Sequence, residues 1–189
     1  MKKILYIAIC AVILGCSSMH TIHNKEKLRE AISFAYVAPV FDTNTNTSSS
    51  KRIQSFKKYI HFGVDSLFTV DAKRYNISKK IPVSNANITN IENMFTADAS
   101  EKLVLSNELL SYFQNSNEKH VMLLSFKPKL GSVFDRFETV KSSEMEVVII
   151  ETATGTLIFR DTFYTSNKGI NKQLLQNIQQ LFSKLKKVK

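Results

Sequence analysis

Two β-rich runs near the end of the chain, separated by a four-residue turn, constrain the fold most strongly. Residues 144–151 and 156–165 are rich in Val, Ile, Phe, Tyr and Thr, and Thr152-Ala-Thr-Gly155 joins them. A connection this short that contains glycine usually joins neighbouring antiparallel strands. The sequence therefore predicts a β-hairpin, and with it a sheet against which the other elements must pack.

The segment after the hairpin has the clearest helical pattern in the chain. Seven apolar residues recur at spacings of three and four and so fall on one stripe of a helix: Ile170, Leu174, Leu175, Ile178, Leu181, Phe182 and Leu185. Lysines gather at the end of this segment, where the helix dipole favours cations. We expect this helix to bury its stripe against the sheet in preference to lying on a membrane.

The rest of the chain predicts strands and helices in alternation. The predicted strands are residues 34–41, a segment within 71–83 that stops at Pro82, and the buried run 120–126. The predicted helices are residues 24–32, 51–70 and about 100–113, whereas 84–99 reads as the least structured stretch. Residues 127–143 read as a connection, and whether 133–140 forms a further strand is left open. This order predicts one α/β (α+β) domain: a single small mixed sheet flanked by about three helices, with a C-terminal β-hairpin followed by an amphipathic helix.

The first residues have the organisation of an export signal. Lys2 and Lys3 precede an apolar segment, residues 4–14, that is too short to span a bilayer. The segment closes on Ile13-Leu14-Gly15-Cys16, which resembles the lipobox of bacterial lipoproteins. In that family the cysteine is linked to diacylglycerol, exposed by cleavage and then acylated on its new amino group. The resemblance implies that Cys16 is lipidated; an ordinary signal peptide or an uncleaved anchor is the alternative.

This resemblance divides the chain into residues 1–15 as signal peptide, 16–25 as lipidated tether and 26–189 as a single periplasmic domain. Ser17 and Ser18 stand where an aspartate would favour retention in the inner membrane. By resemblance to that sorting rule, the protein is expected in the outer membrane, facing the periplasm and held by its acyl chains.

The charge of the chain indicates which partners suit it. The 189 residues carry a formal charge of +10, and loss of Lys2 and Lys3 leaves 24 basic against 16 acidic residues, a charge of +8. A basic exported protein can contact anionic lipid, lipopolysaccharide phosphates or an acidic protein. Nucleic acid is not expected as a partner, because the chain leaves the cytoplasm.

The residues needed for catalysis are sparse. Cys10 falls in the signal and Cys16 would be acylated, so the mature domain has no thiol for a disulfide, a metal or a nucleophile. No cofactor or metal site is predicted, and the sequence contains no nucleophile elbow, phosphate-binding loop or zinc-protease motif. Asp135 and Glu138 could form a carboxylate pair of the kind that hydrolyses glycosides, but such a spacing is common by chance.

The order of elements is similar to that of small periplasmic lipoprotein domains. They include the curli-export channel lipoprotein, the lipoprotein activators of penicillin-binding proteins, and the amino-terminal domain of the Tol-system propeller protein. In that group a hairpin of the form Asp-x-x-Thr-Gly-x-aliphatic-aliphatic-aromatic precedes the last helix. Here the motif runs from Glu151 through Thr154 and Gly155 to Phe159, with Glu in place of the usual Asp and Phe in place of the frequent Trp. The resemblance implies a non-enzymatic role in docking onto, or scaffolding, an envelope machine.

Two functions are therefore open. The first is a docking or assembly component of an envelope or secretion machine, with an envelope protein bound at the basic start of the long helix or at the sheet edge beside Pro39; the basic residues are Lys51, Arg52, Lys57 and Lys58. The alternative is a lipid-anchored hydrolase or binding protein for cell-wall glycan or lipid. An exposed apolar patch or sheet edge favours the first, and a ligand-sized pocket lined by Asp, Glu or His favours the second.

Overall fold

The computed structural model describes residues 22–42, 51–96, 105–133, 137–166 and 169–188. Within these residues the chain forms seven strands and six helices. The strands are β1 (Ile22–His23), β2 (Phe34–Val37), β3 (Val40–Phe41), β4 (Ile77–Ile81), β5 (His120–Val133), β6 (Phe137–Glu151) and β7 (Thr156–Ser166). The helices are α1 (Lys25–Glu30), α2 (Lys51–Val70), α3 (Ala72–Tyr75), α4 (Asn85–Thr96), α5 (Asn107–Gln114) and α6 (Ile170–Val188).

All seven strands belong to one mixed sheet. Its order is β1-β7-β6-β5-β2-β4, and β3 pairs with β5 beyond the end of β2. Strands β5, β6 and β7 form an antiparallel meander, whereas β2 runs parallel to both β4 and β5. The predicted mixed sheet, the hairpin and the helix that follows it are confirmed, and three of the six helices are longer than ten residues.

Helices cover both faces of this sheet, which explains the unbroken apolar run at the start of β5. Met122 and Leu124 pack in one core with residues of α2 and α6. Val121 and Leu123 point the other way and pack in a second core with residues of α4 and α5. Because successive residues of a strand face opposite sides, a strand buried on both sides has no polar alternation. The prediction of a central strand here is confirmed.

The predicted first strand is interrupted at its proline. It stops at Val37 and resumes at Val40, and Pro39 between them is buried. Proline cannot donate to a ladder, so an interior strand breaks where it occurs. The sheet edge beside Pro39, expected as one possible partner site, is formed by β3, which among the described strands pairs with β5 alone; the side chains of Val40 and Phe41 in this strand are buried.

The prediction that residues 84–99 lack structure is wrong, because α4 occupies most of them. The amide of Asn87 donates to the hydroxyl of Ser84, 3.3 Å away, and so begins the helix at a capping side chain. Ile91 and Met94 are buried in the second core, and Ile88 packs against it. Burial of this stripe outweighs the weak helix propensity of the asparagines.

The prediction of a connection over residues 127–143 is also wrong, and the strand left open over 133–140 is answered by the end of β5 at Val133 and the start of β6 at Phe137. Strands β5 and β6 pair through this region, from Lys127 opposite Glu144 to Val133 opposite Phe137, with a register shift after Lys129. Pairing between β5 and β3 ends at Phe126. Pro128 lies beyond it and is tolerated because its missing N–H has no partner to reach on the side of β3.

One boundary and one side-chain assignment differ from those predicted. Ile22 pairs with Arg160 of β7 and α1 begins at Lys25, so the last residues of the predicted tether 16–25 belong to the folded part of the chain. On α6, Leu175 was assigned to the buried stripe but is 39% exposed. No helix in the described part of the chain has the length and apolar character needed to cross a membrane.

Candidate functional site

The most distinctive surface is the side of α2 that faces away from the sheet. Steps of three and four residues align Lys51, Ser55, Lys58 and Phe62 along it, with Tyr59 beside them, and all five are exposed. We call these five residues the outer face of α2. The opposite side of the same helix is buried in the core at Ile53, Phe56, Ile60, Val64 and Phe68. The two sides are thus set by one helical pattern, and the core does not account for the aromatic residues on the outer one.

Both aromatic side chains of the outer face are accessible to solvent. Phe62 is 74% exposed and Tyr59 is 42% exposed. Ile32 and Val70 are also exposed, but they lie just after α1 and at the end of α2. An aromatic side chain contributes more free energy on burial than most residues, and aromatic residues are enriched where proteins bind each other. Phe62 therefore offers an anchor for a partner.

The charge around these aromatic residues is positive. The one acidic residue of α2 is Asp65, which forms an ion pair with Lys80 at 2.6 Å and accepts a hydrogen bond from Tyr36 at 3.1 Å. Burial raises the pKa of Tyr36, and the carboxylate of Asp65 raises it further. Burial lowers the pKa of the neighbouring His61. The carboxylate of Asp65 is thus paired with Lys80 and Tyr36. Lys51 and Lys58 provide the charge of the outer face of α2.

The structure separates the four basic residues that the sequence grouped. Lys51 and Lys58 lie on the outer face, whereas the ammonium of Lys57 lies 5.4 Å from the ring centre of Phe41, on the side of β3. Arg52 lies in the first turn of α2, and its side chain is outside the described part of the structure. The proposed lipidation site, Cys16, also falls outside the described residues.

A second candidate is a cleft at the end of the sheet where the hairpin turns. Its volume is about 590 Å³, within the range of about 300–1,000 Å³ typical of small-molecule sites. It is bordered by Glu30 at the end of α1, by Gln114 of α5, and by residues 117–120 and 151–153. The hairpin motif identified in the sequence thus forms one wall of this cleft.

Two carboxylates of the cleft are held in ion pairs. Glu151 accepts from the ammonium of Lys27 at 2.6 Å and from the hydroxyl of Thr154. Glu118 lies 3.2 Å from the ammonium of Lys79. The hydrogen bond from Lys27, and next that from Thr154, lower the pKa of Glu151. A general acid in glycoside hydrolysis requires a raised pKa, so Glu151 is unsuited to that role.

Sequence reasoning found the turn of this cleft but not its other walls. Asn117 stands in the left-handed region at φ 59°, in a turn that the sequence shows as the polar break after α5. Nothing in the spacing of Glu30, Gln114 and Glu151 indicates that they meet. No group of three or more His, Cys, Asp or Glu residues in the described ranges is placed to hold a metal ion.

The sequence matches no family model and no curated protein. Among solved structures, PelC from Paraburkholderia phytofirmans, a dodecamer, is similar at 11% identity over 82% of this chain and 86% of that chain, with a TM-score of 0.45. The lipoprotein GNA1162 from Neisseria meningitidis is similar at 8% identity over 80% of this chain and 98% of that chain, with a TM-score of 0.41. The C-terminal domain of LpoB from Escherichia coli is similar at 14% identity over 84% of this chain and 93% of that chain, with a TM-score of 0.35. Similarities of this size carry no function over to this chain.

Proposed function

We propose that this protein is a lipid-anchored component of the bacterial cell envelope that binds a protein partner through the outer face of α2, without catalysis. The observation that carries the proposal is Phe62, which is 74% exposed and lies between basic and aromatic side chains on a helix whose other side is fully buried. Exposed aromatic residues in a basic surround suit a partner with an apolar pocket rimmed by acidic groups.

A lipid anchor on Cys16 would determine where in the cell envelope the outer face of α2 meets a partner. A lipid on Cys16 would keep the domain at the membrane, in the periplasm and by the sorting resemblance at the outer membrane. Five residues separate Cys16 from Ile22, where the sheet begins, and six peptide steps span at most about 20 Å. The sheet edge formed by β1 would therefore stay close to the leaflet, and a partner would be met near the membrane.

The hydrolase alternative has less support. Asp135 and the side chain of Glu138 lie outside the described part of the structure, and two of the three described carboxylates of the cleft, Glu118 and Glu151, are held in ion pairs, the third being Glu30. The cleft has the size that a small ligand requires, but its described carboxylates do not form the acid and base pair of a glycosidase.

Charge reversal on the outer face tests the proposal. We expect the double variant Lys51→Glu and Lys58→Glu to weaken co-purification of a crosslinked partner from membranes, and Phe62→Ser to weaken it about tenfold or more, as loss of a central aromatic anchor does. Folding should be retained, because exposed charges contribute little to stability.

The matched control reverses two other exposed lysines, Lys186 and Lys187 at the end of α6. Their reversal changes the net charge of the protein by the same amount as the test variant. If the outer face of α2 is the binding surface, this control should leave partner capture intact. Equal losses in both double variants would instead indicate a non-specific charge effect and would rule out this site.

A further inference from the structure

The cleft beside the hairpin turn is a separate surface, because none of its lining residues belongs to the outer face of α2. Its floor is fixed by the backbone: the amide of Thr152 donates to the carbonyl of Lys119 at 2.9 Å. The hydroxyl of Thr152 donates to the carbonyls of Glu118 and Lys119. Thr152 and His120 are both buried. The cleft is therefore a preformed concavity with a rigid base, as small-molecule sites usually are.

The walls of this cleft are rich in hydrogen-bond acceptors. Glu118 and Glu151 supply carboxylate oxygens, and each carboxylate offers about four lone-pair sites. On Glu118, Lys79 pairs with Oε1 and the hydroxyl of Ser78 donates to Oε2 at 2.8 Å, which leaves one lone pair on each oxygen. The hydrogen bonds to Glu151 from Lys27 and Thr154 both go to Oε2. A ligand that brings several donors would find acceptors already held in place.

Ion pairing makes this surface nearly neutral in spite of its carboxylates. Lys27 and Lys79, which neutralise Glu151 and Glu118, are not part of the lining. Within the lining, the positive charge of exposed Lys119 balances the negative charge of Glu30 in number. A cationic ligand would have to compete with two lysines already bound, and an anionic ligand would meet carboxylates. A neutral ligand with many hydroxyl groups avoids both costs.

Two planar amides border the same cleft. The side-chain nitrogen of Gln114 donates to the carbonyl of Ala153 at 3.2 Å, which orients the amide. Asn117 is exposed, and its backbone is held in the left-handed region that asparagine tolerates. A side-chain amide can bind a donor and an acceptor that lie next to each other, and a carboxylate can bind two neighbouring donors. Vicinal hydroxyl groups of a sugar present this pattern.

We infer that the cleft binds a short neutral oligosaccharide, held by the carboxylates of Glu118 and Glu151 and the amide of Asn117. The ligand class follows from three properties together: a ligand-sized concavity, an excess of fixed acceptors, and a charge already neutralised by ion pairs.

The test is a titration of the full-length protein, isotope-labelled and held in detergent micelles, with chitotriose and with maltotriose. We expect amide shift changes confined to residues 117–120 and 151–153, unaffected by added salt because the ligand is uncharged. Asn117→Gly keeps the left-handed backbone and removes the amide, and should weaken binding about tenfold. The matched control is Asn76→Gly, since Asn76 is also exposed and left-handed, at φ 52°, and lies outside the cleft.

The two sugars distinguish the chemistry that is recognised. Binding of both supports recognition of ring hydroxyls, and binding of chitotriose alone supports recognition of the acetamido group as well. No shift with either sugar up to about 10 mM, where a millimolar site would be mostly filled, overturns the inference. So does equal weakening by Asn117→Gly and Asn76→Gly. Partner capture through α2 is measured with different variants, so either proposal can fail without the other.

Discussion

Replacing Ile178 with alanine tests how α6 packs on the sheet. Ile178 is 0% exposed and lies in the core shared by α2, α6 and the sheet. The change removes three carbon atoms, which corresponds to about 2.4 kcal/mol of lost burial at about 0.8 kcal/mol each. The cavity that remains adds to this loss, so we expect the free energy of unfolding to fall by about 2–5 kcal/mol.

The matched variant is Leu175→Ala, three residues earlier on the same helix. Leu175 is 39% exposed, although its sequence spacing placed it on the buried stripe. It should therefore cost less than about 1 kcal/mol. Urea unfolding followed by circular dichroism, on a chain that lacks residues 1–15 and carries Cys16→Ser, gives both values. Equal losses from the two variants would show that α6 does not lie on the sheet with the described side inward.

Three further changes test the lipid anchor, the packing of α2 against α6, and the ion pair between Lys27 and Glu151. Cys16→Ser should abolish labelling by a fatty-acid analogue and release the protein into the soluble fraction. Gly63→Ala should lower the free energy of unfolding by about 1–3 kcal/mol, because its new methyl group would overlap Cδ2 of Leu174. In a protein that also carries Leu174→Ala the overlap is removed, and the same change should be neutral or stabilising because alanine has a higher helix propensity than glycine. The pKa of Glu151 is lowered in the folded protein, so the stability that its bond to Lys27 contributes is present above the ordinary carboxyl pKa and is lost as the pH falls through the folded pKa. The urea midpoint of the variant Glu151→Gln should therefore fall less steeply at acid pH than that of the unchanged protein.

Periodic patterns in the sequence predicted the elements that bury most apolar surface. Helices α2 and α6 follow from apolar spacings of three and four. The start of β5 follows from an unbroken apolar run, and the hairpin from two β-rich runs joined by a short turn with glycine. The helix α4, which the sequence reading missed, has four asparagines before Met94, and these residues have weak helix propensity. Its stability comes from burial of Ile91 against the sheet, which the sequence alone does not show. Similarly, Pro128 and Gly131 suggest a loop, but pairing with β6 extends the strand past both.

The candidate sites were less predictable, because they depend on direction and on distant contacts. Charge alone grouped Lys57 with Lys58, although consecutive helix positions differ by about 100° and the two lysines face different neighbours. The apolar character of Phe62 suggests a place in the core, whereas Phe62 lies on the solvent-facing side of α2. The cleft brings together Glu30, Gln114 and Glu151 from three elements far apart in the chain, and no local pattern encodes that meeting.

Photocrosslinking from position 62 in intact membranes is the most direct test of the central claim, that the outer face of α2 binds a protein. A photoreactive side chain in place of Phe62 should give one discrete protein adduct, which should disappear when Lys51→Glu and Lys58→Glu are added. The same group in place of Leu175, which is exposed on α6, should not give that adduct. A lipid adduct alone at position 62, or the same protein adduct from both positions, would contradict the account.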